Sequence, residues 1–383
     1  MGFSPFSTPY DWSRLAAAKK AAASHPDGMI DLSIGSPVDS VPSSVVAALT
    51  EAANASNAYG YPVTRGTNAL RESIVRWFHD LRGVDLDAIG ADICPTVGSK
   101  EGVSLMASLL GVGAGDVVVQ PRISYPTYEI GTQLAGAETL KTDVADVDSW
   151  VHVPGVKMVW VNSPSNPTGE VLSGPRLRRI VEAARSIGAV IVSDECYALM
   201  DWSSDPRSMS ATACVLDADV CGGDAKDVLC LYSLSKQSNM AGYRTALVAG
   251  DKRIVTPMIE TRKQIGQIIP GPSQAAMKAG LDDVGAVLEQ RERYRGRLKV
   301  LVEGLRAAGY AAHMPQGGLY VWVRALSGDC WTDIDRLARL GIVVSPGEFY
   351  GDRMCLRVSS TAPGAAVNAA AERLAHIARP ASA

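Results

Sequence analysis

The sequence is poor in the residues that build metal centres and disulfide frameworks. Its five histidines, at 25, 79, 152, 313 and 376, are scattered and show no His-x-x-x-His spacing. Its seven cysteines, at 94, 196, 214, 221, 230, 330 and 355, are an odd number and form no Cys-x-x-Cys pair. These patterns argue against a zinc site and a secreted disulfide scaffold. No metal is expected, and the thiols are expected to lie buried or idle in a reducing cytoplasm. An excess of one charge is missing as well. Against 37 Lys and Arg stand 40 Asp and Glu, a net charge of −3. That leaves no electrostatic footprint for nucleic acid or an anionic membrane, so neither is an expected partner. Apolar runs such as Val117–Val119 and Ala189–Val192 are far too short to cross a bilayer. The stretch Met1–Tyr10 has no basic segment leading into an apolar one, so no secretory signal is expected.

What is present is ordinary globular composition, 47% hydrophobic and 20% charged over 383 residues, which excludes wholesale disorder. At roughly 100–200 residues per domain, that length predicts two domains, or a large one with a smaller one attached. Two kinds of segment alternate. Ser43–Ala55, Leu70–Leu81, Glu101–Leu110, Leu177–Ile187 and Ala275–Asp282 carry apolar residues at helical spacing. Between them lie short β-branched runs: Val117–Val119, Met158–Val161, Val190–Val192, Val228–Tyr232 and Ala246–Ala249. These are apolar on consecutive positions, as strands buried on both faces are. After about Gly285 the pattern changes to a long charged helix, Leu288–Ala308, then short runs at Gly317–Val323, Ile334–Leu340, Ile342–Ser345 and Met354–Ser359, and a last helix near Ala366–Ile377. The tail Pro380–Ala383 is expected to fray. The expected fold is α/β: a mostly parallel central sheet sandwiched by helices over 40–285, and a smaller α+β domain from 1–39 together with 286–383.

The reactive residues follow the strands. Met158–Val161 runs into Asn162-Ser-Pro-Ser-Asn166-Pro-Thr-Gly169, Val190–Val192 into Ser193-Asp194-Glu-Cys-Tyr197, Val228–Tyr232 into Ser233-Leu-Ser235-Lys236, and Val117–Val119 toward Tyr125. In open α/β sheets, ligands bind beyond the carboxyl ends of the strands. Taken singly, each residue has a plain structural reading: Lys236 a solvated surface residue, Asp194 a helix cap, Asn166–Gly169 a turn, Tyr125 packing and Gly98-Ser99 a helix start. Their order and shared placement argue for something else. A lysine, a carboxylate, a Tyr and Asn pair and an aromatic ring at one edge suit pyridoxal 5'-phosphate. Lys236 would bond its aldehyde, Asp194 would face its pyridine nitrogen, Tyr197 and Asn166 its phenolate oxygen, and Tyr125 would stack on the ring. Ser233, Ser235 and Arg244, the last following Lys236 by eight residues, suit its phosphate. So does Gly98-Ser99-Lys100, which opens a helix whose free amides favour an anion.

These stretches, with Asp31-Leu-Ser-Ile-Gly35, Tyr61-Pro-Val-Thr-Arg-Gly66, Gly317-Gly-Leu-Tyr-Val-Trp322 and Leu356-Arg-Val-Ser359, span essentially the whole chain. In that order, they make the sequence resemble the fold-type I, pyridoxal-phosphate-dependent aminotransferases of class I/II. The resemblance implies that Lys236 is the Schiff-base lysine, with Asp194 and Tyr197 beside it in catalysis. It implies that Ser99, Ser233 and Arg244 hold the phosphate, and that Tyr61 reaches the phosphate of a neighbouring subunit's cofactor in a homodimer with shared sites. It further implies that Arg357 grips the substrate α-carboxylate, with Gly35 close by and Asn166 also facing substrate. The implied reaction is ping-pong transfer between small-molecule amino acids and 2-oxo acids.

For the substrate, the side-chain pocket gives no code. As a whole the chain is similar to the actinobacterial N-succinyldiaminopimelate aminotransferases of lysine and diaminopimelate biosynthesis, which use 2-oxoglutarate as acceptor. Arg65, Arg262 and Lys263 are candidate cations for the distal carboxylates, each with a surface-charge reading beside it. An aspartate-, alanine- or aromatic-type aminotransferase and a carbon–sulfur β-lyase would share the cofactor residues. A DNA-binding regulator of the same fold would need a further basic domain before Gly35.

Overall fold

The computed structural model describes residues 6–8, 10–202 and 212–375. The expected tail Pro380–Ala383 and the end of the expected last helix, to Ile377, lie outside the described residues. Among the described residues, twelve strands follow one another: β1 (Ile30–Asp31), β2 (Ala91–Val97), β3 (Val117–Pro121), β4 (Glu138–Thr142), β5 (Val156–Asn162), β6 (Val190–Asp194), β7 (Val228–Ser233), β8 (Thr245–Asp251), β9 (Tyr320–Arg324), β10 (Ile342–Val343), β11 (Ser345–Pro346) and β12 (Cys355–Ser359). Seven of them form the central sheet, in the order β2-β8-β7-β6-β5-β3-β4. The pairs from β7 through β4 are parallel, while β8 runs against both β7 and β2. A second sheet, β11-β12-β9, is antiparallel, and β1 pairs with β10. The architecture is the expected α/β sandwich with a smaller antiparallel β unit.

The consecutive apolar runs have a simple cause. Val159, Val161, Cys230 and Tyr232 point into one hydrophobic cluster; Met158, Trp160, Leu229 and Leu231 point into another on the opposite face. Side chains alternate along a strand, so a sheet covered on both faces needs apolar residues at every position. The covering helices follow from amphipathic spacing. In the helix Asn68–Arg82, the buried Leu70, Ile74, Trp77 and Phe78 lie on one face. Thr67 Oγ1 caps its start by accepting from Leu70 N, and Gly83, at φ 65°, ends it. A third core joins Leu15, Ala18 and Leu32 from the N-terminal stretch to Val321, Val323, Ile334 and Val358 from the C-terminal third. The helix Val284–Ala307 runs between the cores, giving Val287 to the first and Leu298, Leu301 and Leu305 to the third.

Candidate active site

The carboxyl ends of the parallel strands meet in register. Asn162, the last residue of β5, pairs with Asp194, the last of β6, and Asp194 pairs with Leu231 near the end of β7. The loops that follow carry Asn166, Tyr197 and Lys236 to one edge. Because β8 is reversed, its start lies at that same edge. Ala246 pairs with Ser233, and Thr245 pairs with Val97, the last residue of β2. Arg244, just before β8, is therefore brought beside Gly98, just after β2.

These groups surround a cavity of about 590 Å³. Its lining includes Gly35, Ser99, Lys100, Tyr125, Asn166 and Asp194, together with Tyr197, Ser233, Ser235, Lys236, Arg244 and Arg357. Two expected residues stand outside the lining. Gly98 backs the cavity wall: a Cβ there would lie 2.2 Å from Arg244 Nη2. Tyr61 is fully exposed on the surface of the single chain.

One end of the cavity is rich in anion donors. Ser99 opens the helix Ser99–Leu109, whose first amides have no intrahelical partner. Ser233 Oγ bonds to Ser235 Oγ at 2.9 Å, and Arg244 Nη1 donates to the Ala241 carbonyl at 2.8 Å. Deeper in, Asp194 is held by two donors. Tyr128 Oη donates to its Oδ2 at 2.8 Å, and the Cys196 amide donates to its Oδ1 at 3.2 Å. Burial raises the Asp194 carboxyl from its ordinary value, against hydrogen bonds from the Cys196 side chain, Tyr128 and the Cys196 amide, which lower it. Lys236 Nζ donates to the Gly35 carbonyl. Burial lowers its amine from the usual lysine value; the Tyr320 phenol opposes the shift and the Arg357 cation adds to it.

Arg357, on β12, is buried and brings a further cation to the site. Its Nη1 donates to Asn166 Oδ1 at 3.0 Å and its Nη2 to the Ser33 carbonyl at 2.8 Å, while its buried Nε has no partner. The guanidinium lies between two rings, 4.1 Å from that of Tyr320 and 4.5 Å from that of Tyr350. A buried guanidinium in a cavity wall suits a carboxylate, which it matches in shape and charge.

Sequence reasoning overlooked several of these residues. Asn162 stands in a motif already noted and Tyr128 lies three residues past Tyr125, but their partners show only in three dimensions; Asn162 Oδ1 accepts the Asn166 amide at 2.7 Å. Tyr10, Trp12, Ile34, Tyr320 and Tyr350 form the cavity's apolar and aromatic wall. One expectation is corrected. Arg262 is no distal cation: its side chain is fully buried, and Nη2 donates to both oxygens of Glu101 at 2.8 and 2.9 Å. A buried charge needs such a partner, and Glu101 sits on the helix that packs beside it. Arg65 and Lys263 are exposed and do not line the cavity. Among the described residues, Glu195, Cys214 and Cys230 form one close group of potential metal ligands. The carboxylate of Glu195 is already taken by Arg82, Ser193 and Val215.

An anion cradle, a buried carboxylate, a buried lysine and a carboxylate-reading arginine around one cavity define a pyridoxal-phosphate enzyme acting on amino acids. The family model of class I and II aminotransferases matches residues 27–374, and the chain belongs to that family. It is 43% identical over 370 residues to the 4-dedimethylamino-4-oxo-anhydrotetracycline transaminase OxyQ of Streptomyces rimosus, covering 95% of this chain and 98% of that protein. It is also 43% identical to a probable aminotransferase of Mycobacterium tuberculosis, covering 95% of this chain and 84% of that protein. A solved structure named as a probable N-succinyldiaminopimelate aminotransferase from Thermus thermophilus superposes with a TM-score of 0.83 at 26% identity, covering 96% of this chain and 99% of that one. The cofactor is pyridoxal 5'-phosphate, and the donor set fits it: cations and hydroxyls for the phosphate at one end, a carboxylate for the ring nitrogen, and an amine between. No helix among the described residues is long and apolar enough to cross a membrane.

Proposed function

We propose that this aminotransferase moves an amino group between N-succinyl-L,L-2,6-diaminopimelate and 2-oxoglutarate, in the cytoplasm, as a step of lysine and diaminopimelate biosynthesis. The observation that carries the reading is the buried, ring-clamped Arg357, with one N–H unpartnered, at a cavity of about 590 Å³. It fits an α-carboxylate at one end and a long side chain beyond it. The likeness to the Thermus protein supports the substrate class.

We infer the following roles. Ser99, Ser233, Ser235, Lys100 and Arg244, with the amides after Gly98, hold the phosphate. Asp194 would face the ring nitrogen, Tyr125 would cover the ring, and Tyr197 and Asn166 would donate to its hydroxyl oxygen. When bound, the cofactor supplies an electron sink that lets the substrate Cα release its proton. Lys236 would be the attachment point and the base that holds that proton and returns it. Its lowered amine leaves more of the neutral form this work needs. Arg357 fixes the carboxylate, and so the direction of the Cα–H bond, with Gly35 leaving room beside it.

We infer a homodimer with shared sites. Tyr59 and Tyr61 are 93% and 100% exposed on one segment with Val63 and Arg65, an apolar surface suited to a second copy. From there, Tyr61 would reach the other copy's phosphate, and Arg65 would meet the distal carboxylate, for which the described residues of the single-chain cavity hold no spare cation.

A second reading rests on the 43% identity to OxyQ, whose name describes amination of a tetracycline ketone. The wall of Tyr10, Trp12, Ile34 and Tyr350 suits a flat apolar acceptor as well. The test is to mix cofactor-loaded protein with single amino donors and follow cofactor absorbance without an acceptor. The panel is N-succinyl-L,L-diaminopimelate, glutamate, aspartate, alanine, an aromatic amino acid and cystathionine. Rapid change with the succinylated donor and glutamate alone supports the proposal. Change with glutamate but not the succinylated donor rejects it; amination of a polycyclic ketone would then establish the second reading. Change with aspartate, alanine or the aromatic moves the enzyme to another pathway. Pyruvate release from cystathionine without that change means a β-lyase.

A further inference from the structure

We propose that Tyr320 is a positioning residue that joins the two halves of this site, its ring seating Arg357 and its hydroxyl orienting Tyr197. The inference rests on the roles given above to Tyr197 and Arg357. Tyr320 opens β9 directly after Gly317-Gly318-Leu319 and is buried. Its Oη lies 3.1 Å from Tyr197 Oη, and the two rings meet edge to face at 5.9 Å. Its ring face carries the Arg357 guanidinium at 4.1 Å. β9 and β12 fix this geometry: Trp322 pairs with Arg357 and Tyr320 with Ser359, so Tyr320 and Arg357 project from the same face of the sheet. Gly35 closes the other side. A Cβ at Gly35 would lie 2.2 Å from Tyr320 Oη, and the Gly35 carbonyl accepts from Lys236. The hydroxyl thus stands where the lysine, the tyrosine and the arginine converge.

The direction of the hydroxyl bond follows from the chemistry. Tyr197 has one proton. If it donates to the cofactor's ring oxygen, its own oxygen must accept from Tyr320. A phenol that receives a hydrogen bond donates more strongly onward. The titratable and charged groups that act on Tyr320 include Arg357, Lys236, Tyr197 and Cys196, with Tyr125, Tyr294 and Tyr350 further round it. Burial raises the Tyr320 phenol, while the Arg357 cation, 4.1 Å from its ring, and Lys236 act to lower it, which favours Tyr320 as the donor. Tyr197 is raised well above that value by burial and by Tyr320.

Two substitutions separate the ring from the hydroxyl, with Tyr197→Phe as reference. The readouts are the pH midpoint of the bound cofactor's visible absorbance and the KM for glutamate. Tyr197→Phe should raise the midpoint, because the ring oxygen loses its donor. Tyr320→Phe should raise it by a smaller amount, about half a pH unit for one weakened neutral hydrogen bond. It should leave KM within about twofold, because the ring still faces Arg357. Tyr320→Leu should shift the midpoint alike and raise KM about tenfold, the scale of a buried cation–π contact. An unmoved midpoint in Tyr320→Phe, with a moved one in Tyr197→Phe, overturns the hydroxyl role alone. An unmoved midpoint in Tyr197→Phe overturns both this proposal and the role of Tyr197. Equal KM values in Tyr320→Phe and Tyr320→Leu overturn the ring's role.

Discussion

Replacing Gly98 with alanine tests the anion cradle without touching a polar group. Gly98 sits at φ 78° and ψ 158°, a region essentially reserved for glycine, where a side chain costs on the order of 1–3 kcal/mol. The added Cβ would lie 2.2 Å from Arg244 Nη2 and 2.5 Å from Cζ. The guanidinium must swing away, and it is already anchored through the Ala241 carbonyl on a left-handed backbone at φ 56°. The proposed phosphate then loses a charged hydrogen bond worth about 1.5–3 kcal/mol. At 1.4 kcal/mol per factor of ten, that is roughly a ten- to hundredfold weaker hold on the cofactor. The assay is absorbance titration of the apoprotein with pyridoxal phosphate, with circular dichroism to check the fold. An Arg244→Ala background supplies the control: there, Gly98→Ala should add little, because its effect acts through that side chain. A folded Gly98→Ala protein with an apparent Kd within threefold of the unaltered one would refute the reasoning. So would full additivity with Arg244→Ala.

Three further outcomes are expected. Arg82 and Glu195 form a buried ion pair at 2.7 Å with side chains 0% and 1% exposed, so Arg82→Met strands a buried carboxylate. Stability should fall by about 3–5 kcal/mol in urea unfolding, and a loss below about 1 kcal/mol would count against the pair. Lys236→Met should gain stability over the unaltered apoprotein near neutral pH. Burial has lowered the amine, so between its folded value and the ordinary 10.5 the unfolded chain binds more protons, and the unaltered protein gains stability as pH rises. The advantage of the variant must shrink toward that value; a pH-independent difference would contradict the shift. Arg357→Ala should raise KM for amino and 2-oxo acids about a hundredfold, the scale of a lost charged hydrogen-bond pair, while the cofactor's absorbance stays in place. Loss of the cofactor instead would mean that Arg357 holds a different group.

Much of this fold was legible because the central strands are buried on both faces. β5, β6 and β7 announce themselves as unbroken apolar runs. β2 and β4 do not. β2 reads Ala-Asp-Ile-Cys-Pro-Thr-Val, and its Asp92 and Pro95 disguise it. It pairs only with β8, at the sheet's edge, where a proline is tolerated, and Arg71 neutralises the aspartate. β4 is likewise an edge strand, with exposed Glu138 and Lys141. The helix Lys252–Gln264 was hidden by Pro257 inside it. Arg262 misled because its residue type suggests solvent, and only the packing reveals Glu101. Tyr320 was invisible as a site residue because a tyrosine opening an apolar strand looks like core, and its partner Tyr197 is 123 residues away.

The reversal of β8 was the least legible feature, and it organises the site. In a wholly parallel sheet, the residue before a strand lies at the opposite edge from the residue after one. Arg244 would then stand a strand's length from Gly98 and Lys236. Running β8 backwards turns that arrangement round. The chain leaves β7 at Ser233, passes Lys236 and the short turn Ala241–Tyr243, and enters β8 at Thr245 without crossing the sheet. The eight-residue step from Lys236 to Arg244 is therefore the length of a tight return at one edge, set by topology before chemistry. The sequence displays that spacing as a motif. Its physical content is that two strands ending at this edge, β2 and β7, and one starting there, β8, deliver Gly98, Lys236 and Arg244 to one place.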